Sequence, residues 1–211
     1  SIEELEDIYA PHKSKRRTRA QAAEELGLQP LAKLIDTGGN DESPNAAAHK
    51  LVAKLAAESP STEQISVDDA LAGARDIVAS DRCQRSTMRA HAREFLRERA
   101  QLVATIKSPE ADPECKYKCY WAFKAPLTRV WSHQFLAIQR GEKEKVLTVR
   151  FECNPQAESA VVDAEVPETT RAPWMAELRQ AVEDGLRRLL RPTIEREWRR
   201  MLKEKAEDEA F

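Results

Sequence analysis

Apolar residues in this chain recur at spacings of three and four along much of its length, the one-sided pattern of amphipathic helices. Ile2, Leu5, Ile8 and Tyr9 begin it, and Leu51, Val52 and Leu55 resume it. Met88, His91, Ala92, Phe95 and Leu96 then line one face of a segment from about Cys83 to Glu98, with Arg85, Arg89, Arg93 and Arg97 on another face. Composition points the same way. The 211 residues hold only 6 glycines and 6% aromatics, and they are rich in Ala, Leu, Glu, Arg and Lys, which lose little rotamer freedom in a helix. At 41% hydrophobic, the chain has enough apolar residues for one sizeable core or two small ones, which excludes disorder along its whole length. No run of about 18 apolar residues is present to span a bilayer. The opening Ser1-Ile2-Glu3-Glu4-Leu5-Glu6 is acidic where a secretory signal is basic and then apolar. The expected fold class is mainly α, a soluble helical scaffold that is cytoplasmic (nuclear in a eukaryote) and has no membrane partner.

Turn chemistry divides the pattern. Pro11 ends the first helix, Thr18 caps a second that Gly27 closes, and Pro30 opens a third over 30–35, giving a helix-turn-helix-like pair. Residues 36–45, with two glycines, read as a loop before a helix over 46–57. Ser66 with Asp69 starts a helix over 67–79, and Asp81 is placed to cap the next. From Gln101 the residues favour strand (Leu102, Val103, Thr105, Ile106), as does Val146–Phe151, so a small antiparallel β-hairpin is expected. Ser132 to about Gln139 reads as a helix ended by Arg140-Gly141. Residues 152–168 carry Glu152, Glu158, Asp163, Glu165 and Glu168 without a lysine or arginine, an acidic excursion with at most one edge strand at 160–166. Trp174 to Leu190 and Thr193 to Glu209 are two helices, or one kinked at Pro192, buried along Trp174, Leu189, Ile194, Trp198 and Met201. The organisation expected is a helical segment over 1–36, a helical bundle over 46–100, an α+β insert over 101–170 and a long C-terminal helix or kinked pair over 171–211.

Charge is uneven although the total is only -2. Lys13, Lys15, Arg16, Arg17 and Arg19 place five cations in seven residues, a density that attracts phosphates, and Thr18 adds helix donors. Intrachain pairing with Glu3, Glu4, Glu6 and Asp7 is the competing use. A second basic run, Arg187 to Lys205, has eight cations against three carboxylates and reads as the polar face of a long helix. Tyr117, Tyr120, Trp121, Phe123 and Trp131 interleave with Lys116, Lys118, Lys124 and Arg129, a pattern compatible with base stacking but better suited to core packing. Cys115 and Cys119, with His133 and Cys153, lack the tight knuckle of a structural zinc site, and Cys83, Cys115, Cys119 and Cys153 read as small apolar residues. His12, His49, His91 and His133 have no sequence-local partner in a catalytic spacing, and no phosphate-binding glycine motif occurs. No enzyme activity, metal or cofactor is expected.

The segment Leu5-Glu6-Asp7-Ile8-Tyr9-Ala10-Pro11-His12-Lys13-Ser14-Lys15-Arg16-Arg17-Thr18-Arg19 resembles the Tex family of RNA-binding transcriptional accessory proteins, S1-domain homologues included. Ala23–Ala32, Ala70–Val78, Pro126-Leu127, Ser132–Gly141 and Ala206–Ala210 continue the resemblance in order. Residues 116–127 depart from it, being more aromatic and basic. The resemblance implies a non-catalytic scaffold that positions a YqgF/RNase H-like domain, helix-hairpin-helix motifs and an RNA-binding S1 domain, so the chain is expected to be the front portion of a longer protein. It also implies RNA or DNA as partner, with Lys13, Lys15, Arg16, Arg17 and Arg19 facing phosphates. The alternative is a module that docks transcription or ribosome-associated proteins through the arginine faces of 85–97 and 187–205.

Overall fold

The computed structural model describes residues 17–58 and 65–209. The first helix expected at Ile2–Tyr9 and the cations Lys13, Lys15 and Arg16 lie outside the described residues, as does the side chain of Phe95. The chain forms two units, one from residues up to 91 with 161–190, the other from 92–160 with 191 onward. Among the described residues no helix is long and apolar enough to cross a membrane.

In the first unit Thr18 caps helix α1 (Arg19–Glu25): its hydroxyl accepts from the Gln21 N–H, and the Gln21 side chain accepts from the Thr18 N–H. A turn through Gly27 leads to α2 (Gln29–Asp36), which carries Pro30 in its first turn. Helices α3 (Pro44–Glu58) and α4 (Val67–Gln84) follow, the latter capped by Ser66. α4 is the hub. Its Ala70, Ala74 and Ala79 are fully buried, and these short side chains let α1, α2, α3 and α8 (Ala172–Gly185) pack on it. Leu28, Leu31, Ile35, Val78, Trp174 and Leu178 fill the space between, each side chain contributing about 1.5–3 kcal/mol on burial. α4 runs past Asp81, which lies within it, and the break falls at Arg85, whose extended backbone precedes α5 (Ser86–Arg99). Met88, Ala92 and Leu96 are buried along α5, as the periodicity requires.

The second unit holds a three-stranded antiparallel sheet, not a bare hairpin: β1 (Ala100–Ile106) lies between β2 (Ala122–Pro126) and β3 (Leu147–Cys153). The β1–β3 pairing is the one expected, and β2 is the addition. Leu102, Ala104, Leu147 and Phe151 are buried on one face, while Lys124, Arg150 and Glu152 meet on the other. α6 (Ser132–Lys143) continues beyond Gln139 through Gly141, where an added Cβ would lie 2.7 Å from Leu147 Cδ1; the glycine serves close packing and does not stop the helix. The expected edge strand at 160–166 is instead part of helix α7 (Pro155–Glu165), which buries Ala157, Val161 and Glu165 at intervals of four.

After α8 the helix widens into a π turn at Leu186–Leu190 and resumes as α9 (Arg191–Asp208). The π turn directly precedes Pro192, which has no N–H for the helical ladder, so the irregularity falls where the bonding is interrupted. α9 buries Ile194, Trp198, Leu202 and Ala206, and the Trp198 ring meets Phe151 at 5.4 Å. Met201 is exposed and Leu189 half-buried, so the expected stripe holds at Trp174, Ile194 and Trp198 but not at these two.

Candidate nucleic-acid interface

The charge runs become partnered surfaces once the chain is folded. In the first unit Arg179 meets Asp163 at 2.8 Å, Arg75 meets Glu177 at 2.5 Å, and Arg188 bridges Asp76 at 2.5 Å and Asp184 at 2.6 Å. In the second, Arg93 meets Glu197, Arg191 meets Glu158 and Glu195, and Arg199 meets Glu142 while its guanidinium lies over the Phe151 ring. Four of the five carboxylates in the supposed acidic excursion, Glu152, Glu158, Asp163 and Glu165, hold internal partners. Neither the 152–168 stretch nor the 187–205 helix is a free single-sign face.

Of the predicted phosphate-facing residues, Arg17 and Arg19 are described, and both are exposed. Arg17 pairs with Glu25 at 2.6 Å, and at 72% and 60% side-chain exposure that pair contributes little and can exchange for another anion. The expected donors at Thr18 are partly taken by its own capping box, so the helix end adds less than the sequence suggested. Arg19 lines an open cleft of about 380 Å³ together with Arg75, Asp76, Asp184 and Arg187. Asp76 and Asp184 are neutralised by Arg188, and Arg75 by Glu177. Among the described residues Arg19 and Arg187 carry no ion pair, and of the lining carboxylates only Glu183 stands unpaired. A cation from the predicted loop thus shares a cleft with one from the C-terminal run, 168 positions apart (187 less 19). Their convergence depends on α1 and α8 both packing on α4, which no local pattern announces.

The aromatic segment divides. Tyr117 is buried, Trp121 half-buried and Trp131 exposed, so core packing accounts for only part of it. Asp112, which the sequence did not single out, organises its first half. This buried carboxylate accepts from the Lys116 N–H at 2.9 Å, the Tyr117 N–H at 2.7 Å and the Trp121 indole N–H at 3.0 Å. Burial pushes the Asp112 carboxyl up, but these hydrogen bonds outweigh it and hold its pKa below the usual range. Asp36 behaves alike, with burial raising it and hydrogen bonds from Arg85 and Arg82 lowering it further. A carboxyl whose folded pKa is depressed adds stability that is complete above its unfolded pKa, about 3.9, and is lost as pH falls through the folded value. Far-UV and near-UV circular dichroism should therefore stay constant from pH 7 to about 5, and a thermal midpoint measured below pH 4 should fall.

The cysteines and histidines differ in burial and partners. Cys83 and Cys153 are pushed up by burial to about 12 and about 11, so neither presents a thiolate at neutral pH. Cys115 and Cys119 are exposed, and no group of three or more His, Cys, Asp or Glu residues among the described ones could hold a metal ion. His91 contacts Glu165 at 2.9 Å, and His49 and His133 are exposed.

Family comparison places this architecture. A family described as Tex central region-like matches residues 40–211. The chain belongs to that family. It is 32% identical over its whole length to the uncharacterized protein YdcI of Bacillus subtilis, covering 28% of that protein. It is 30% identical over 197 residues to the transcriptional accessory protein Tex of Neisseria gonorrhoeae, which covers 92% of this chain and 24% of the relative. The human S1 RNA-binding domain-containing protein 1 is 28% identical over 229 aligned positions, covering all of this chain and 22% of the relative. The chain thus spans about a quarter of the length of these relatives, and the Tex central region match takes in the small sheet and the helices from α3 onward.

Proposed function

We propose that this chain is a non-catalytic scaffold that holds RNA-binding machinery in a transcription-related protein and itself touches the nucleic-acid backbone through Lys13, Lys15, Arg16, Arg17 and Arg19. The carrying observation is that Arg19 and Arg187 line one cleft whose third arginine, Arg75, already has a carboxylate partner. Two unpaired guanidiniums in one open cleft suit a phosphate, which accepts planar, bidentate donors. The similarity to a transcriptional accessory protein and to an S1 RNA-binding domain-containing protein supports a transcription- and RNA-related role. On this reading the chain acts in the cytoplasm, or in the nucleus of a eukaryote, with no membrane role.

The protein-docking alternative is weakened by the internal pairing of Arg93, Arg188, Arg191 and Arg199, which leaves those arginine faces less charge to offer a partner. The combined substitution Arg19→Ala and Arg187→Ala tests the cleft. It removes two phosphate contacts, so the slope of log K against log salt for single-stranded RNA should shrink by about 1.4, at roughly 0.7 per contact. An unchanged slope removes the cleft from the interface.

A further inference from the structure

Trp131 is 67% exposed, the most exposed of the large apolar side chains described, and nothing in the fold uses its ring to bury surface. Its placement is well defined. Val130 and Trp131 have extended backbone (φ -75°, ψ 120° and φ -77°, ψ 146°), and in extended chain successive side chains point to opposite sides. Val130 is buried, whereas Arg129 and Trp131 on either side of it are exposed. The Trp131 N–H donates to the Gln134 side chain at 3.2 Å, fixing the residue at the start of α6. Two residues on, the exposed His133 ring lies 27° from the indole plane with centroids 6.5 Å apart. Arg129 has no ion-pair partner among the described residues, and Glu209, the carboxylate that reaches this end of α6, is engaged by the Ser132 hydroxyl.

We propose that Trp131, flanked by Arg129 and His133, is a stacking platform for a base of single-stranded nucleic acid. A protein partner would need a contiguous surface of about 800 Å² per side, usually with an apolar centre. Among the described residues the large apolar side chains that stand exposed are Trp131, Leu26 and Met201, too few to supply such a centre. One aromatic face with a neighbouring cation matches a nucleotide, whose base stacks while its phosphate meets the guanidinium. Every base has a π face, so the platform is tolerant of sequence and selective for unpaired strands. It belongs to the second unit, whereas Arg19 and Arg187 belong to the first, so this inference does not rest on the basic patch.

The test titrates the 211-residue chain with a 12-nucleotide oligouridylate and with an RNA duplex of equal length, following tryptophan emission and anisotropy of labelled strand. Single strand should quench emission and duplex should not, because Trp174 and Trp198 are buried, Trp121 is half-buried with its indole N–H on Asp112, and Trp131 is open. Trp131→Ala should weaken single-strand binding about tenfold and abolish most of the quenching, and Trp131→Phe should restore most of the affinity. Single-strand affinity unchanged in Trp131→Ala overturns the platform, as does equal binding of strand and duplex without quenching. Loss in Trp131→Ala alongside an unaltered salt slope in the Arg19 and Arg187 variant supports the platform and rejects the cleft. The reverse pattern rejects the platform alone.

Discussion

Replacing Arg82 by methionine is expected to destabilise the first unit by about 3–5 kcal/mol, the range for breaking a buried ion pair and stranding its partners. Arg82 is 5% exposed and ties three elements together. From α4 its Nε donates to Asp36 Oδ1 at 2.5 Å, Nη2 to the Asp36 carbonyl at 3.0 Å, and Nη1 to the Glu165 carbonyl at 2.6 Å. These carbonyls belong to the last residues of α2 and α7, so one guanidinium satisfies backbone groups that each helix leaves open at its end. The Glu165 carboxylate, 7% exposed, lies 3.7 Å from the same group. Methionine fills similar volume but supplies no donor. Asp36 would keep Arg85, whereas Glu165 would keep only His91 beside it. Urea denaturation at pH 7, read by near-UV circular dichroism, measures the loss, and a loss below about 1 kcal/mol would show that water or rearrangement satisfies these groups instead. The gap between parent and variant should narrow below pH 4, where protonation of Asp36 weakens the pair in the parent as well.

The second large effect concerns Gly39 and Trp174. Gly39 has φ +81°, and a Cβ there would lie 1.9 Å from the Trp174 Cδ1, inside any possible contact. Gly39→Ala thus combines left-handed strain of about 1–2 kcal/mol with overpacking of about 1–3 kcal/mol. Trp174 is fully buried, and its indole N–H donates to the Glu42 carbonyl at 2.9 Å. Trp174→Ala should cost about 3–5 kcal/mol, since it leaves a cavity and an orphaned carbonyl together. Guanidinium midpoints for both variants test the fit, and a change below about 1 kcal/mol in Gly39→Ala would mean the loop shifts freely away from the indole.

These two sites also mark how far the sequence could be read. Helices were legible wherever one apolar face repeats at three and four, as at Met88, Ala92 and Leu96, because that period needs only local residues. The β1–β3 pair was legible from β-branched residues. β2 was not: Ala122-Phe123-Lys124-Ala125-Pro126 has little strand propensity and is held by its register against β1. Val161 and Val162 suggested a strand, while the decisive spacing, Ala157 to Val161 to Glu165, includes a carboxylate that a hydrophobic pattern does not count. Arg82 had a signal that went unused, a charge four residues after Val78 on a buried stripe. The Arg19 and Arg187 convergence had none, nor had the long-range pairs Arg188–Asp76 and Arg199–Glu142, since those partners lie on other elements; the four-residue spacing of Arg188–Asp184 and Arg191–Glu195 was local and legible.

We propose that this chain contacts nucleic-acid phosphates through its basic loop at 13–19, ahead of the Tex central region match. The most direct test replaces Lys13, Lys15, Arg16, Arg17 and Arg19 together by alanine and measures single-stranded RNA binding from 50 to 200 mM salt. Five lost contacts should reduce the log–log slope by roughly 3.5, with the largest loss of affinity at low salt. A variant that binds with the parent's affinity and slope would contradict the account.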